Sequence, residues 1–172
     1  MLDIVENVKS KLKKKIKYNI GIVWIIASII FFLDFVIKQY LINNFSFQSF
    51  PVIKNILFIT VVFNTGAAFS IFKGNTFFII VISILFIFLF LMFMKSENKK
   101  NMFFLIPCGL VLGGALSNLC DRVFLGFVID YIDLRWWPVF NLSDSCISVG
   151  IILLLLESIF SAKKEEMKMR HQ

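Results

Sequence analysis

Polar and apolar positions separate along this chain into long blocks rather than short alternations. From Tyr18 to Leu33 no residue is charged, and Asp34 and Lys38 close that run. A second uncharged run, TFFIIVISILFIFLFLMFM, covers Thr76 to Met94. A third extends from about Met102 to Cys120 and contains the small-residue stretch GLVLGGALSN; a fourth extends from about Leu142 to Phe160. Each is long enough for a helix that crosses a bilayer. The pattern predicts membrane spans at about 18–41, 76–94, 102–120 and 142–160, within a single integral membrane domain covering 1–172. Between the first two spans, Asn43, Asn44, Pro51, Asn55, Asn64, Gly66 and Gly74 are turn formers that bracket ILFITVVF. That β-branched and aromatic stretch predicts a short strand or two, so 43–75 is expected to form an outer β-platform. Residues 121–141 form a second outer loop.

Composition agrees with this reading. The 172 residues are 59% hydrophobic and include 22 Phe. A soluble domain of that length cannot hide so much apolar surface. The net charge of +7 sits beside the apolar runs, which suggests topology rather than a nucleic-acid partner. Six lysines precede the first span, Lys95, Lys99 and Lys100 separate the second from the third, and Lys163, Lys164, Lys168 and Arg170 follow the fourth. Four spans put all three groups on one side, so both termini are expected in the cytoplasm. The N-terminal lead resembles a signal peptide without a small-residue cleavage site, and is read as a retained first span.

Several chemistries are excluded. Cys108, Cys120 and Cys146 have no paired spacing, so no disulfide framework or zinc site is expected. His171, in a charged tail, is the only histidine, which removes His-dependent catalysis and His metal clusters. No metal and no cofactor are expected. A Ser70–Lys38 nucleophile pair is disfavoured because Asp34, four residues before Lys38 on a helix, already offers it an ion-pair partner near the interface.

What remains is an acidic group at one face of the membrane. FVIDYIDLRWWPVFNLSDS carries Asp130, Asp133 and Asp144, and the topology puts Asp34 and Asn64 at the same level. Charge at membrane depth faces protein, water or other charge. Two carboxylates held close in a partly dry site cannot both ionise easily. One then serves as base toward water and the other as acid toward a leaving amine, which is aspartic-peptidase chemistry. Asp121 and Asp133 read as structural partners of nearby arginines, with Asp121 the more buried. Local physics leaves Asp130 and Asp133 nearly even as the reacting acid. Trp136 and Trp137 read as interfacial anchors rather than a substrate-covering flap, and Gly113 and Gly114 as helix-packing positions.

The elements FNTGAAFS, GGALSNLCDR, VIDYID and FNLSDS occur in this order. Together they resemble the lipoprotein signal peptidases, also called signal peptidase II, over Asp34 to Gly150. The resemblance implies four membrane helices with an extracytoplasmic β-platform and a short helix. It implies an endopeptidase of the bacterial cytoplasmic membrane, working near the extracytoplasmic face; a monomer is expected, though the sequence does not itself give the oligomeric state. Such enzymes remove the signal peptide of a prolipoprotein just before a cysteine carrying diacylglycerol. Residue by residue, it implies that Asp130 and Asp144 are catalytic. Asn64, Asn118, Arg122 and Asn141 then shape the site and hold substrate, and Asp34 and Lys38 form a supporting acid and base. Membrane lipid and a lipidated prolipoprotein are the implied partners.

Three positions depart from that family's pattern. Ile37 stands where a hydroxyl is common, Ser117 where glycine is common, and Ser143 where alanine is common. The two serines read as small-for-small exchanges. The segment between Asp130 and Asp144 is short for the family, which requires a tight loop that Pro138 helps to turn. A transporter or channel would instead show internal repeats or broken helices at the bilayer midplane. A purely structural protein would give these polar residues no reason to gather.

Overall fold

The computed structural model describes residues 2–45, 48–66, 75–97 and 101–170. Four long helices carry the chain: α1 (Leu2–Phe45), α2 (Thr76–Ser96), α3 (Met102–Leu125) and α4 (Leu142–Arg170). Within them Ile20–Phe45, Thr76–Ser96, Met102–Leu125 and Leu142–Lys163 are long and apolar enough to cross a membrane. Three strands, β1 (Ser49–Ile53), β2 (Leu57–Asn64) and β3 (Val128–Asp133), form one antiparallel sheet in that order. The remainder of the 43–75 region, 67–74 with Ser70, lies outside the described residues, as do 46–47 and the loop lysines Lys99 and Lys100.

The bundle is built around α3. It packs against α4 and α1 extensively and against α2 less so. The other three helices present Phe, Ile and Leu outward, as a lipid solvent allows. The reason is side-chain size. A Cβ on Gly113 would lie 2.7 Å from the Ala27 carbonyl oxygen of α1, and one on Gly114 would lie 2.5 Å from the Ser143 carbonyl oxygen of α4. Two adjacent glycines therefore let α3 touch both neighbours backbone to backbone, the packing role expected of them. Val23, Ala27, Phe104, Leu105, Cys108 and Leu112 fill the seam below. Among the described residues Cys108, Cys120 and Cys146 form no disulfide.

Helix ends follow local chemistry. Asn101 caps α3 by accepting from the Phe104 amide at 2.9 Å, and Gly126, in the left-handed region at φ 83°, stops it. Asn43 and Asn44 read as turn formers, yet lie in the last turn of α1. The Asn44 amide there satisfies the Tyr40 carbonyl at 2.8 Å.

The platform holds one surprise. β1 and β2 come from the segment expected to supply them, but the third strand lies in the second outer loop, and α3 runs past Arg122 to Leu125 before that loop begins. VIDYID pairs with β2 at Val62↔Asp130, Phe63↔Ile129 and Asn64↔Val128. The chain then turns back tightly. Arg135 sits in the left-handed region at φ 67°, with its amide on the Asp133 carboxylate at 2.8 Å. Phe140 exchanges backbone bonds of 3.1 and 2.7 Å with Ile132. This is the tight loop that a short Asp130–Asp144 segment requires.

Candidate active site

Side chains alternate along a strand, so Asp130 and Asp133, three apart, point to opposite faces of β3. Asp133 accepts from the Thr60 hydroxyl at 2.8 Å and pairs with Arg135 at 3.5 Å, away from Asp130. Asp130 turns toward the helices. Asn64, on the same face of β2 as Val62, reaches it diagonally and donates Nδ2 to its Oδ2 at 2.9 Å. The other oxygen accepts from Asn141 Nδ2 at 2.8 Å.

Asp144 arrives from α4. Asn141 is the N-cap of that helix, and its Oδ1 accepts from the Asp144 backbone amide at 2.8 Å. Asp144 returns the bond, accepting from the Asn141 amide at 3.3 Å. This is a capping box with aspartate at its third helical position. One side chain, Asn141, thus starts α4 with its oxygen and holds Asp130 with its nitrogen, joining the two acids through a single amide. The remaining Asp144 oxygen accepts from Asn118 Nδ2 of α3 at 2.8 Å.

Behind the acids lies a second cluster. Asp34 and Lys38 form the expected i, i+4 pair at 2.5 Å, but are 0% and 1% exposed. The pair is sealed inside the bundle rather than placed at an interface. Lys38 also meets Asp121 at 2.8 Å and Asn118 Oδ1 at 3.2 Å, so its three N–H donors have three acceptors. Asp121 is buried as expected, but its partner is Lys38 and the Ile129 amide, at 3.3 Å, not the neighbouring Arg122. Residues adjacent on a helix do not face one another. Arg122 instead donates to the Gly66 and Asn118 carbonyls at 3.2 and 3.3 Å, tying the end of β2 to α3.

Asp130 and Asp144 share a cavity of about 800 Å³ with Asn64, Gly66, Arg122 and Trp137. Burial, and then the nearby Asp144 charge, push the Asp130 carboxyl up to about 7, against the amide bonds from Asn64 and Asn141. Burial and then Asp34 raise the Tyr131 phenol further above its ordinary range, so it keeps its proton and donates. Trp136 is 76% exposed, as an anchor would be, while Trp137 turns back to line the cavity mouth.

All eight residues singled out in the sequence converge here: Asp130, Asp144, Asn64, Asn118, Arg122, Asn141, Asp34 and Lys38. Three that were not singled out join them. Ser117 and Ser143 each donate to Asp34 Oδ2 at 2.7 Å, and Tyr131 donates to Asp34 Oδ1 at 3.2 Å. Ser117 and Ser143 were visible as unusual residues, but their shared target, 83 and 109 residues away, has no local signal.

A polytopic bundle with buried acids gathered at one end, under a small sheet, defines a membrane protein with a polar site at the bundle's rim. Comparison with known proteins makes this specific. The family model for signal peptidase (SPase) II matches residues 26–160. A lipoprotein signal peptidase of Halothermothrix orenii is 40% identical over 135 residues, covering 78% of this chain and 92% of that protein. One of Syntrophomonas wolfei is 42% identical over 135 residues, covering 78% and 90%. A bacterial membrane enzyme solved in meso at 2.3 Å superposes with a TM-score of 0.77 at 32% identity, covering 84% of this chain and 91% of its own. A second, solved at 1.9 Å, gives 0.71 at 34% identity over 80% and 92%. The chain belongs to the signal peptidase II family, a family of membrane peptidases.

Proposed function

We propose that this chain is an aspartic endopeptidase that removes signal peptides from diacylglyceryl-modified prolipoproteins, cutting just before the lipidated cysteine. The observation that carries the proposal is the Asn141 bridge between Asp130 and Asp144 at a cavity floor. Asp130 and Asp144 are hydrogen-bonded to neutral amides, and among the described residues neither forms a direct ion pair; Arg122 and Lys38 act on them only from a distance. Burial therefore keeps one proton on the pair near neutral pH, and we place it on Asp130, whose carboxyl is pushed up to about 7.

The chemistry then balances. A water oxygen adds to the scissile carbonyl carbon while one of its protons passes to Asp144. Asp130 gives its proton to the departing nitrogen as the C–N bond breaks. The pair ends with one proton, now on the other carboxyl. Asn64 and Asn141 orient Asp130, Asn118 orients Asp144, and Arg122 holds the β2 end that borders the substrate cavity. The Asp34–Lys38 pair supports Asn118 from behind. No metal or cofactor enters a step.

The lysine groups at 9–17, 95–100 and 163–170 support a cytoplasmic placement of both termini, with the site near the extracytoplasmic face of the bacterial cytoplasmic membrane. The domain then occupies the whole of 1–172, and the platform stands outside the hydrocarbon core. The eight candidate site residues already converge within one chain, in keeping with a monomer. The test is a gel-shift assay in detergent, with lipidated prolipoprotein and its unlipidated precursor. Cleavage of the lipidated form alone, lost in Asp130→Asn, is expected. Cleavage of neither by folded protein would overturn the proposal.

A further inference from the structure

Asp34 takes no part in bond breaking, yet four donors converge on it. Lys38, Ser117 and Ser143 reach Oδ2 at 2.5, 2.7 and 2.7 Å, and Tyr131 reaches Oδ1 at 3.2 Å. A carboxylate offers about four acceptor sites, so its capacity is filled. The three hydroxyls come from α3, α4 and β3. Each lies next in sequence to a residue of the site: Ser117 before Asn118, Ser143 before Asp144, Tyr131 after Asp130.

The two acids sit on different elements, so nothing local sets the distance between them. Tyr131 lies on the β3 face opposite Asp130, and its hydroxyl also accepts from the Leu142 amide, the first of α4, at 3.1 Å. Ser143 fastens the next residue of that helix to the same carboxylate. Strand and helix are thus pinned from behind to one buried group. Lys38, held by Asp34, donates to Asn118 Oδ1 and so turns the Asn118 nitrogen toward Asp144.

We propose that Ser117, Tyr131 and Ser143 are positioning residues, whose hydroxyls on Asp34 set the placement of Asp130 against Asp144. The proposal rests on the two-aspartate reading above. A misplacement of about 1 Å at a reacting centre costs on the order of 100-fold in rate. None of the three residues lines the cavity, so loss of their hydroxyls should act on kcat and spare KM.

The test compares Tyr131→Phe, Ser117→Ala, Ser143→Ala and the triple variant as full-length purified proteins. Each is assayed on lipidated prolipoprotein, with rates normalised to folded protein by size exclusion and near-ultraviolet circular dichroism. The triple variant is expected to lose on the order of 100-fold in kcat with KM within roughly twofold, and each single variant to lose less. Tyr131→Phe keeps the ring, and carries the test alone should the triple variant not fold. It then supports the proposal by a lower kcat at unchanged KM. A normalised kcat within roughly twofold of the parent in the triple variant, or in Tyr131→Phe should the triple not fold, overturns the proposal, as does a rise in KM without loss of kcat. Asp130→Asn separates the two readings. If it is inactive while the hydroxyl variants keep full kcat, only the positioning role fails; if it is active, the two-aspartate reading itself fails.

Discussion

Two pairs of aspartates lie at the same end of this bundle, and they are built in opposite ways. Asp34 and Asp121 share the Lys38 ammonium, whose three donors are all used, and Asp34 takes three hydroxyls besides. Asp130 and Asp144 share only amides, from Asn64, Asn118 and Asn141, and open onto a cavity. The first pair is a closed, charge-compensated knot. The second is left with a charge problem that a proton solves. The residue type is the same in both, and its partners decide whether it fastens helices or, on the proposed mechanism, holds a mobile proton.

The largest break in this contrast comes from the open pair. Asp130→Asn and Asp144→Asn should each lower cleavage by at least about 10³-fold in purified, folded protein, since on the proposed mechanism each removes a group that moves a proton. Single-turnover cleavage of the lipidated substrate measures it.

Next comes the closed knot. Lys38→Met strands two buried carboxylates, and removing one partner of a buried pair costs about 3–5 kcal/mol. The expected outcome is loss of folded, detergent-extractable protein, scored by size exclusion, rather than a folded enzyme with altered kinetics. Gly114→Ala drives a methyl into the Ser143 carbonyl and shifts the start of α4. It should cost on the order of tenfold or more in kcat with the protein still inserted.

The pH response sharpens the comparison further. Asp130, held up at about 7 against an ordinary 3.8, favours its protonated form in the folded state. Its contribution to stability is therefore complete below about 3.8 and lost as pH rises through about 7. Cleavage should fall along an alkaline limb near pH 7. The stability of the parent relative to Asp130→Asn, followed by thermal unfolding, should decline from about pH 4 to about pH 7 and level off above. An Asp130→Asn difference flat across that range would contradict the placement of the proton. The smallest expected effect is none at all: a chelator should leave the rate unchanged, and inhibition reversed by added zinc would contradict the proton-transfer mechanism.

Much of this was legible along the chain, for identifiable reasons. Lipid demands contiguous apolar residues, so the helices that cross it announce themselves. ILFITVVF announced β2 by its residue types, and four short elements in order pointed to Asn64, Asn118, Asp130, Asn141 and Asp144. VIDYID did not announce a strand, because six residues buried on nearly every side lack the alternation that a half-exposed strand shows.

What the sequence by itself determined is the solvent, the number of long helices and the identity of the polar residues that cannot face lipid. Only the tertiary structure decided which acid meets which partner. Strand parity sent Asp130 and Asp133 to opposite faces of β3, and helix geometry turned Asp121 from Arg122 to Lys38. The close approach at Gly113 and Gly114 brought Ser117, Ser143 and Tyr131 onto one aspartate. Burial is set by residue type and can be read locally. A hydrogen bond is set by position to within a few tenths of an ångström, and across 83 to 109 residues of chain only the packed fold fixes that.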